Sequence, residues 1–90
     1  DTGLDRWLRE RDINSVIICG IRTEQCCETT ARVASDLGYA VTFVSEATLT
    51  FPMTYKGITL SAADIRHRTE TVLSGRFADI KTVAETLESL

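Results

Sequence analysis

Two adjacent cysteines, Cys26 and Cys27, stand within the stretch GIRTEQCCETT, Gly20 to Thr30. A thiol becomes a good nucleophile where its surroundings favour the thiolate, and the start of a helix is such a place. There the unpaired backbone N–H groups and the helix dipole converge on negative charge. Thr23 is a favourable N-cap residue, so the pattern predicts a helix over 24–37 with Cys26 in its first turn. The same N–H groups could hold an oxyanion. Cys27 lies about 100° further around the helix, on an apolar stripe with Ala31, Ala34 and Leu37. The spacing therefore separates the pair: Cys26 is the candidate nucleophile and Cys27 a packing residue. A purely structural role for both stands beside that reading, because free cysteine is among the most buried residue types.

Other chemistry is poorly served. Adjacent cysteines have poor spacing for zinc, and His67 has no second histidine beside it. No metal and no other cofactor is expected. His67 falls among Arg66, Arg68 and Glu70 and reads as a solvated surface residue. Cys19 lies in a strand-like run and reads as core. A disulfide between Cys26 and Cys27 would be a strained ring inside a helix, which places a redox sensor last among the readings. A cysteine nucleophile also needs a base and a group to orient that base. The carboxylates read mostly as helix ends and exposed faces. Either the chain is not an enzyme, or its other catalytic groups lie elsewhere.

The elements that must carry the stretch follow from periodicity. Residues 1–11 read as an amphipathic helix, with Leu4, Trp7, Leu8 and Arg11 at helical spacing and Thr2 with Asp5 resembling a capping box. Ser15 to Cys19 reads as a strand buried on both faces of a parallel sheet, closed by Gly20. Gly38 ends the helix that carries the cysteines, and residues 39–44 form the next strand. Strand, helix and strand make a right-handed βαβ unit. Residues 45–60 include Pro52, the only proline, and read as a long loop near the site. A helix capped by Ser61 and Asp64 ends at Gly75, with Ala62, Ile65, Val72 and Leu73 on its inner face. A short strand over 77–81 precedes a last helix capped by Thr82 and Glu85. The fold class is α/β with a small parallel sheet, and ligands in such folds gather at the carboxyl ends of the strands.

Ninety residues allow one small domain. A net charge of -3 predicts no general attraction to nucleic acid or an anionic membrane. The longest apolar run, Val16 to Cys19, is far too short to span a bilayer. Three cysteines, an odd number, favour free thiols in a reducing compartment, hence a cytoplasmic location. No signal peptide is visible. The abrupt start at Asp1, inside an apparent helix, predicts that the chain is part of something longer.

The stretch from Gly20 to Thr30 resembles the signature G-[hydrophobic]-x-T-[acidic/polar]-x-C-[small]-x-x-T of the isochorismatase-like cysteine hydrolases. That superfamily includes nicotinamidases, carbamoylsarcosine and ureidoacrylate amidohydrolases, and isochorismatases. Ala31 to Tyr39 is similar to the family's helix and glycine turn. Val41 to Phe51 is similar to its next strand and "VxDAxxTF"-type loop, and Ser61 to Leu90 to its final helix, strand and helix. Residues 1–90 thus read as a single domain or as the C-terminal part of an isochorismatase-like hydrolase domain, a three-layer Rossmann-like fold with a parallel sheet.

The resemblance implies a role for Cys26 as nucleophile, a cis peptide at Ile21–Arg22, and an oxyanion hole from the backbone N–H groups of Arg22 and Cys26. It places the partner Asp and Lys upstream of Asp1. Some members hold a metal near the site, through ligands in the part this chain does not cover. Retention of Cys26 favours hydrolysis of a small-molecule amide or other C–N bond through a thioester. Glu46 stands where Asp is common. Arg22 stands where a small or apolar residue is frequent; it either meets a substrate carboxylate or points to solvent. Phe51 is the second candidate substrate contact. Cys27 is unusual beside the nucleophile and could compete with it under oxidation. Members are commonly oligomers, and an exposed apolar sheet edge would demand a partner, so a homo-oligomer is expected. The rival readings are a non-catalytic oligomerisation or interaction module and an isochorismatase-type vinyl ether hydrolase, which does not need the cysteine.

Overall fold

The β-branched run at Ser15 and the one that follows Gly38 pair with each other in parallel. In the computed structural model, which describes residues 3–90, they form β1 (Ser15–Ile21) and β2 (Ala40–Leu49). A short β5 (Asp79–Ile80) joins β2 from the other side, so the sheet runs β1-β2-β5 with every pairing parallel. Between β1 and β2 the chain passes through a π-helical turn (Thr23–Cys27) into α2 (Glu28–Asp36). The remaining elements are α1 (Leu4–Glu10), β3 (Met53–Tyr55), β4 (Ile58–Leu60), α3 (Ala62–Leu73) and α4 (Val83–Glu88). This is the α/β architecture with a parallel sheet that the sequence implies.

The core gathers one face of the sheet against α2 and α3. Ile18, Val41 and Phe43 from the strands meet Cys27 and Ala31 from the turn and α2, and Leu73 from α3. Phe43 and Leu73 are fully enclosed. Both predicted capping boxes are present. The Asp64 N–H donates to Ser61 Oγ at 3.0 Å and the Ser61 N–H to Asp64 Oδ2 at 3.1 Å. At α4 the Glu85 N–H donates to Thr82 Oγ1 at 3.0 Å and the Thr82 N–H to Glu85 Oε1 at 2.8 Å. Each box satisfies N–H groups that a bare helix start leaves open.

Several expectations are corrected. β1 is not buried on both faces: Val16 and Ile18 face the core, while Ile17, Cys19 and Ile21 are exposed. Among the described residues only one face of β1 is covered, so its alternation leaves every second side chain outside. Cys19 is consequently not a core residue. Nor does Gly20 close the strand. The pairing moves from Ile18 opposite Phe43 to Gly20 opposite Thr48, and β1 continues to Ile21 past this irregularity. Gly20 sits there with φ +125°, a conformation that favours glycine.

The segment read as a loop over 45–60 is largely extended. β2 continues to Leu49, and β3 and β4 then form an antiparallel hairpin, with the Thr54 and Thr59 hydroxyls 2.8 Å apart across it. Its turn uses Lys56 and Gly57, both at positive φ (50° and 78°), as a two-residue hairpin turn requires. Lysine is a weak signal for that geometry, which hides the hairpin in the sequence. Glu28 is also not an exposed carboxylate. It is 6% exposed, at the start of α2, and accepts from Arg32 Nε at 3.1 Å, Thr69 Oγ1 at 3.0 Å and Arg68 Nη1. It pins α2 to α3.

The capping box read at Thr2 and Asp5 involves Thr2, which lies outside the described residues. Gly3 is the N-cap of α1, without a side-chain cap bond. Asp5 instead accepts from the Tyr39 hydroxyl at 2.6 Å and from Arg9 Nε at 2.9 Å, tying α1 to the start of β2. The Tyr39 hydrogen bond, with the Arg9 guanidinium behind it, holds the Asp5 carboxyl below its ordinary value of 3.8. A carboxyl with a lowered folded pKa adds stability that is present above its unfolded pKa and lost as pH falls through the folded one. Thermal unfolding followed between neutral pH and pH 3 is therefore expected to fall more steeply below about pH 4 in the native protein than in Asp5→Asn. Equal slopes would remove the Asp5–Tyr39 tie as an acid-sensitive contact. Among the described residues no helix is long and apolar enough to cross a membrane.

Candidate active site

The site is the passage from β1 into α2. The strand ends at Ile21, and the Ile21–Arg22 peptide that follows is cis. The Arg22 carbonyl then accepts from two amides, Gln25 N–H and Cys27 N–H, both at 3.2 Å. The second closes a π-type ring, one residue wider than an α-turn, a geometry often found at functional positions.

This corrects the predicted helix start. Arg22, not Thr23, is the N-cap, and it gives no side-chain cap bond. Thr23 is fully buried and its Oγ1 lies 2.6 Å from Thr48 Oγ1. The Thr48 hydroxyl donates to the Ser45 carbonyl at 2.6 Å, and a hydroxyl has one proton, so Thr23 is the donor to Thr48. A tertiary partner has taken the hydroxyl that sequence pattern assigns to capping. Next to it, Glu24 Oε1 accepts from Thr50 Oγ1 at 2.7 Å, while Glu24 Oε2 is buried with no hydrogen-bond partner among the described residues.

The two cysteines part as periodicity requires. Cys26 is exposed, whereas Cys27 is buried in the core cluster beside Ile18 and Ala31. Burial pushes the Cys27 thiol up, and the neighbouring Cys26, Cys19 and Glu24 add to the rise. Such a thiol stays protonated and inert at neutral pH. Cys19, Cys26 and the edge of the buried Cys27 line one groove of about 310 Å³ along β1, with Ile17, Ile21 and Thr30. Arg22 and Phe51, the two candidate substrate contacts, stack on each other with the guanidinium carbon 5.1 Å from the ring centroid. That is a cation–π distance. Arg22 makes no ion pair among the described residues. Both residues are thus neighbours in the fold although 29 positions apart.

Other singled-out residues lie elsewhere. His67 is exposed on α3, outside the groove. Glu46 accepts from the Val83 N–H and so caps α4. It lines a second cleft of about 320 Å³ with Arg66, Glu70, Lys81 and Glu85. Among the described residues no group of three or more His, Cys, Asp or Glu is placed to share a metal ion. The sequence reading missed Thr48 and Thr50. Their i, i+2 spacing is a strand signal, but it falls in the segment that Pro52 and Gly57 make look irregular.

A parallel α/β domain that presents an exposed thiol where a strand turns into a helix is the class of protein described by these elements. The sequence pattern of the Isochorismatase domain matches residues 1–77. The chain is 34% identical over 82 residues to the uncharacterised isochorismatase family protein YrdC of Bacillus subtilis, covering 90% of this chain and 44% of that protein. It is 44% identical over 50 residues to Nicotinamidase 3 of Arabidopsis thaliana, covering 56% of this chain and 25% of that protein. The crystal structure of a cysteine hydrolase from Pseudomonas syringae pv. phaseolicola superposes with a TM-score of 0.89 at 34% identity, over 96% of this chain and 41% of that one. The chain belongs to the isochorismatase family. It spans less than half the length of each of these relatives.

Proposed function

We propose that this chain supplies the nucleophile and oxyanion-binding turn of a hydrolase that cleaves an amide or other C–N bond of a small molecule. The observation that carries this reading is the contrast in exposure within the cysteine pair. Both border the groove, but Cys26 is exposed near the start of a helix, and Cys27 is 3% exposed and packed into the core. The similarity to a nicotinamidase and to a cysteine hydrolase supports the same reaction class.

In this proposal the Cys26 thiolate attacks the substrate carbonyl carbon, forming a C–S bond and an oxyanion. The backbone N–H groups of Arg22 and Cys26 hold that oxygen, donors that a preorganised turn can aim without reorganisation. Collapse breaks the C–N bond, and the amine leaves with a proton. Water then attacks the thioester, and the acid departs as the thiol is restored. The family resemblance provides for an Asp and a Lys to move these protons, and we assign both to parts of the domain beyond this chain. Arg22, stacked on Phe51 and without an ion pair among the described residues, is the proposed contact for a carboxylate or another polar group of the substrate.

The test is to trap the intermediate. The whole protein is mixed with nicotinamide, and in parallel with other small primary amides, quenched in acid and weighed intact. An added acyl mass that maps to Cys26 is expected for the amide that is turned over. Ammonia release without an adduct on Cys26 would overturn the covalent role of that thiol, and no release from any amide would overturn the reading in favour of a vinyl ether hydrolase or a non-catalytic module.

A further inference from the structure

We infer that Thr48 and Thr50 are positioning residues for Cys26, forming a hydroxyl clamp that holds the nucleophile's turn from the neighbouring strand. The inference rests on the proposed role of Cys26. It concerns how the turn is held, which that role alone does not specify.

The turn is held from within by backbone hydrogen bonds and, at its far end, by the buried Cys27; the residues before Cys26 have no such local anchor of their own. The N-cap residue offers no side-chain bond, and one carbonyl, that of Arg22, serves two of the turn's amides. A wide π-type turn is poorly determined by local hydrogen bonds, because neither its width nor its direction is fixed by the usual i→i−4 ladder. Something outside it has to set where Cys26 points.

β2 is in place to do so. After Phe43 it departs from the register of β1, then pairs again with the last residues before the cis peptide, Gly20 opposite Thr48 and Ile21 opposite Leu49. Thr48 and Thr50 are two residues apart on extended chain, hence on one side of it. Both are buried, and they meet the first two residues of the turn in order. Thr23 donates to Thr48, Thr48 donates to the Ser45 carbonyl, and Thr50 donates to Glu24. Thr48 is therefore both acceptor and donor, linking the turn to the backbone of β2 itself. The bonds grip Thr23 and Glu24, which directly precede Gln25 and Cys26. Loss of the grip frees the first residues of the turn ahead of the anchored Cys27, shifting Cys26 relative to the helix-start N–H groups that favour a reactive thiol.

A merely stabilising role would move the melting temperature and nothing else. The test compares Thr48→Val, which keeps shape and removes the hydroxyl, with Thr48→Ser, which keeps the hydroxyl. In the whole protein, iodoacetamide alkylation of Cys26 is measured against that of Cys19, an internal reference on β1 that the clamp does not touch. Thr48→Val is expected to lower the Cys26-to-Cys19 rate ratio about tenfold at neutral pH, as the thiol leaves the geometry in which it reacts. Amide exchange over 23–27 should rise by a similar factor, and Thr48→Ser should keep both near the native values. Should Thr48→Val not fold, Thr50→Val, which releases only Glu24, provides the same readouts. A ratio within about twofold of native in the folded variant, whatever the exchange rates do, overturns the positioning role. Failure of the nucleophile reading is visible separately, as amide turnover that survives loss of Cys26, and leaves the clamp to be judged by exchange in the turn.

Discussion

Replacing Cys26 with alanine is expected to lower kcat for amide hydrolysis by about 10⁴-fold or more, measured as ammonia release by the whole protein. Loss of a covalent nucleophile elsewhere costs about 10⁶-fold, leaving the catalysis that binding and oxyanion contacts supply alone. The smaller figure allows for water attacking directly in a site whose proposed oxyanion donors are backbone N–H groups, which would survive the substitution. Cys27→Ala is the matched control. Cys27 is in the core with its thiol pushed up by burial, so its loss should reduce stability by roughly 1 kcal/mol and leave kcat within a few-fold. Equal losses of turnover in the two variants would remove the distinction on which the proposed chemistry stands. Cys26→Ser adds a further check, because a hydroxyl in the same place is far less ionised than a thiol at neutral pH. It should behave much more like alanine than like cysteine.

Periodicity and capping chemistry are local, and what they reach was legible. The stripe through Cys27 and Ala31 and the boxes at Ser61 and Thr82 follow from residues within a few positions of each other, and the parallel pairing of β1 with β2 follows from the short helical crossover between them. The separation of Cys26 from Cys27 is of the same kind, since about 100° per residue settles which of two neighbours faces a sheet. What failed was decided at a distance. Thr23 has the right residue type for an N-cap, but a buried partner 25 positions away takes its hydroxyl. Cys19 lies in an apolar strand, yet its side chain falls on a face that no element of the described residues covers, which no property of Ser15 to Cys19 reveals. Glu28 looks like a solvated helix-start carboxylate until Arg68 and Thr69 arrive from α3. The hairpin over 53–60 was hidden for a local reason, a turn built on Lys56 where Asn or Asp would have announced it. The clamp residues were lost with it.

Phe43→Ala is expected to cost about 3–5 kcal/mol of stability, the range for removing a large aromatic side chain from a core. Phe43 is fully enclosed and stands in the central strand, opposite Ile18 on one side and Ile80 on the other. Its carbonyl also accepts from the Lys81 N–H at 3.1 Å, so the backbone around it is held and cannot readily close over a cavity. Native proteins have only about 5–15 kcal/mol in total, so this one change removes a large share of it. Tyr55→Ala, at a side chain 75% exposed on the hairpin, should change stability by no more than about 0.5 kcal/mol. Urea unfolding distinguishes them: the midpoint should fall sharply for Phe43→Ala at unchanged slope and barely move for Tyr55→Ala. The consequence reaches the site, because Phe43 is the last residue of β2 to pair with β1 before the register changes, and Thr48 and Thr50 hang from the strand beyond it. A variant still folded at low temperature should therefore show loosened amide exchange over 23–27 before the rest of the sheet opens. Uniform loosening of the whole sheet would mean that the turn is anchored by the core as a unit and not through the end of β2.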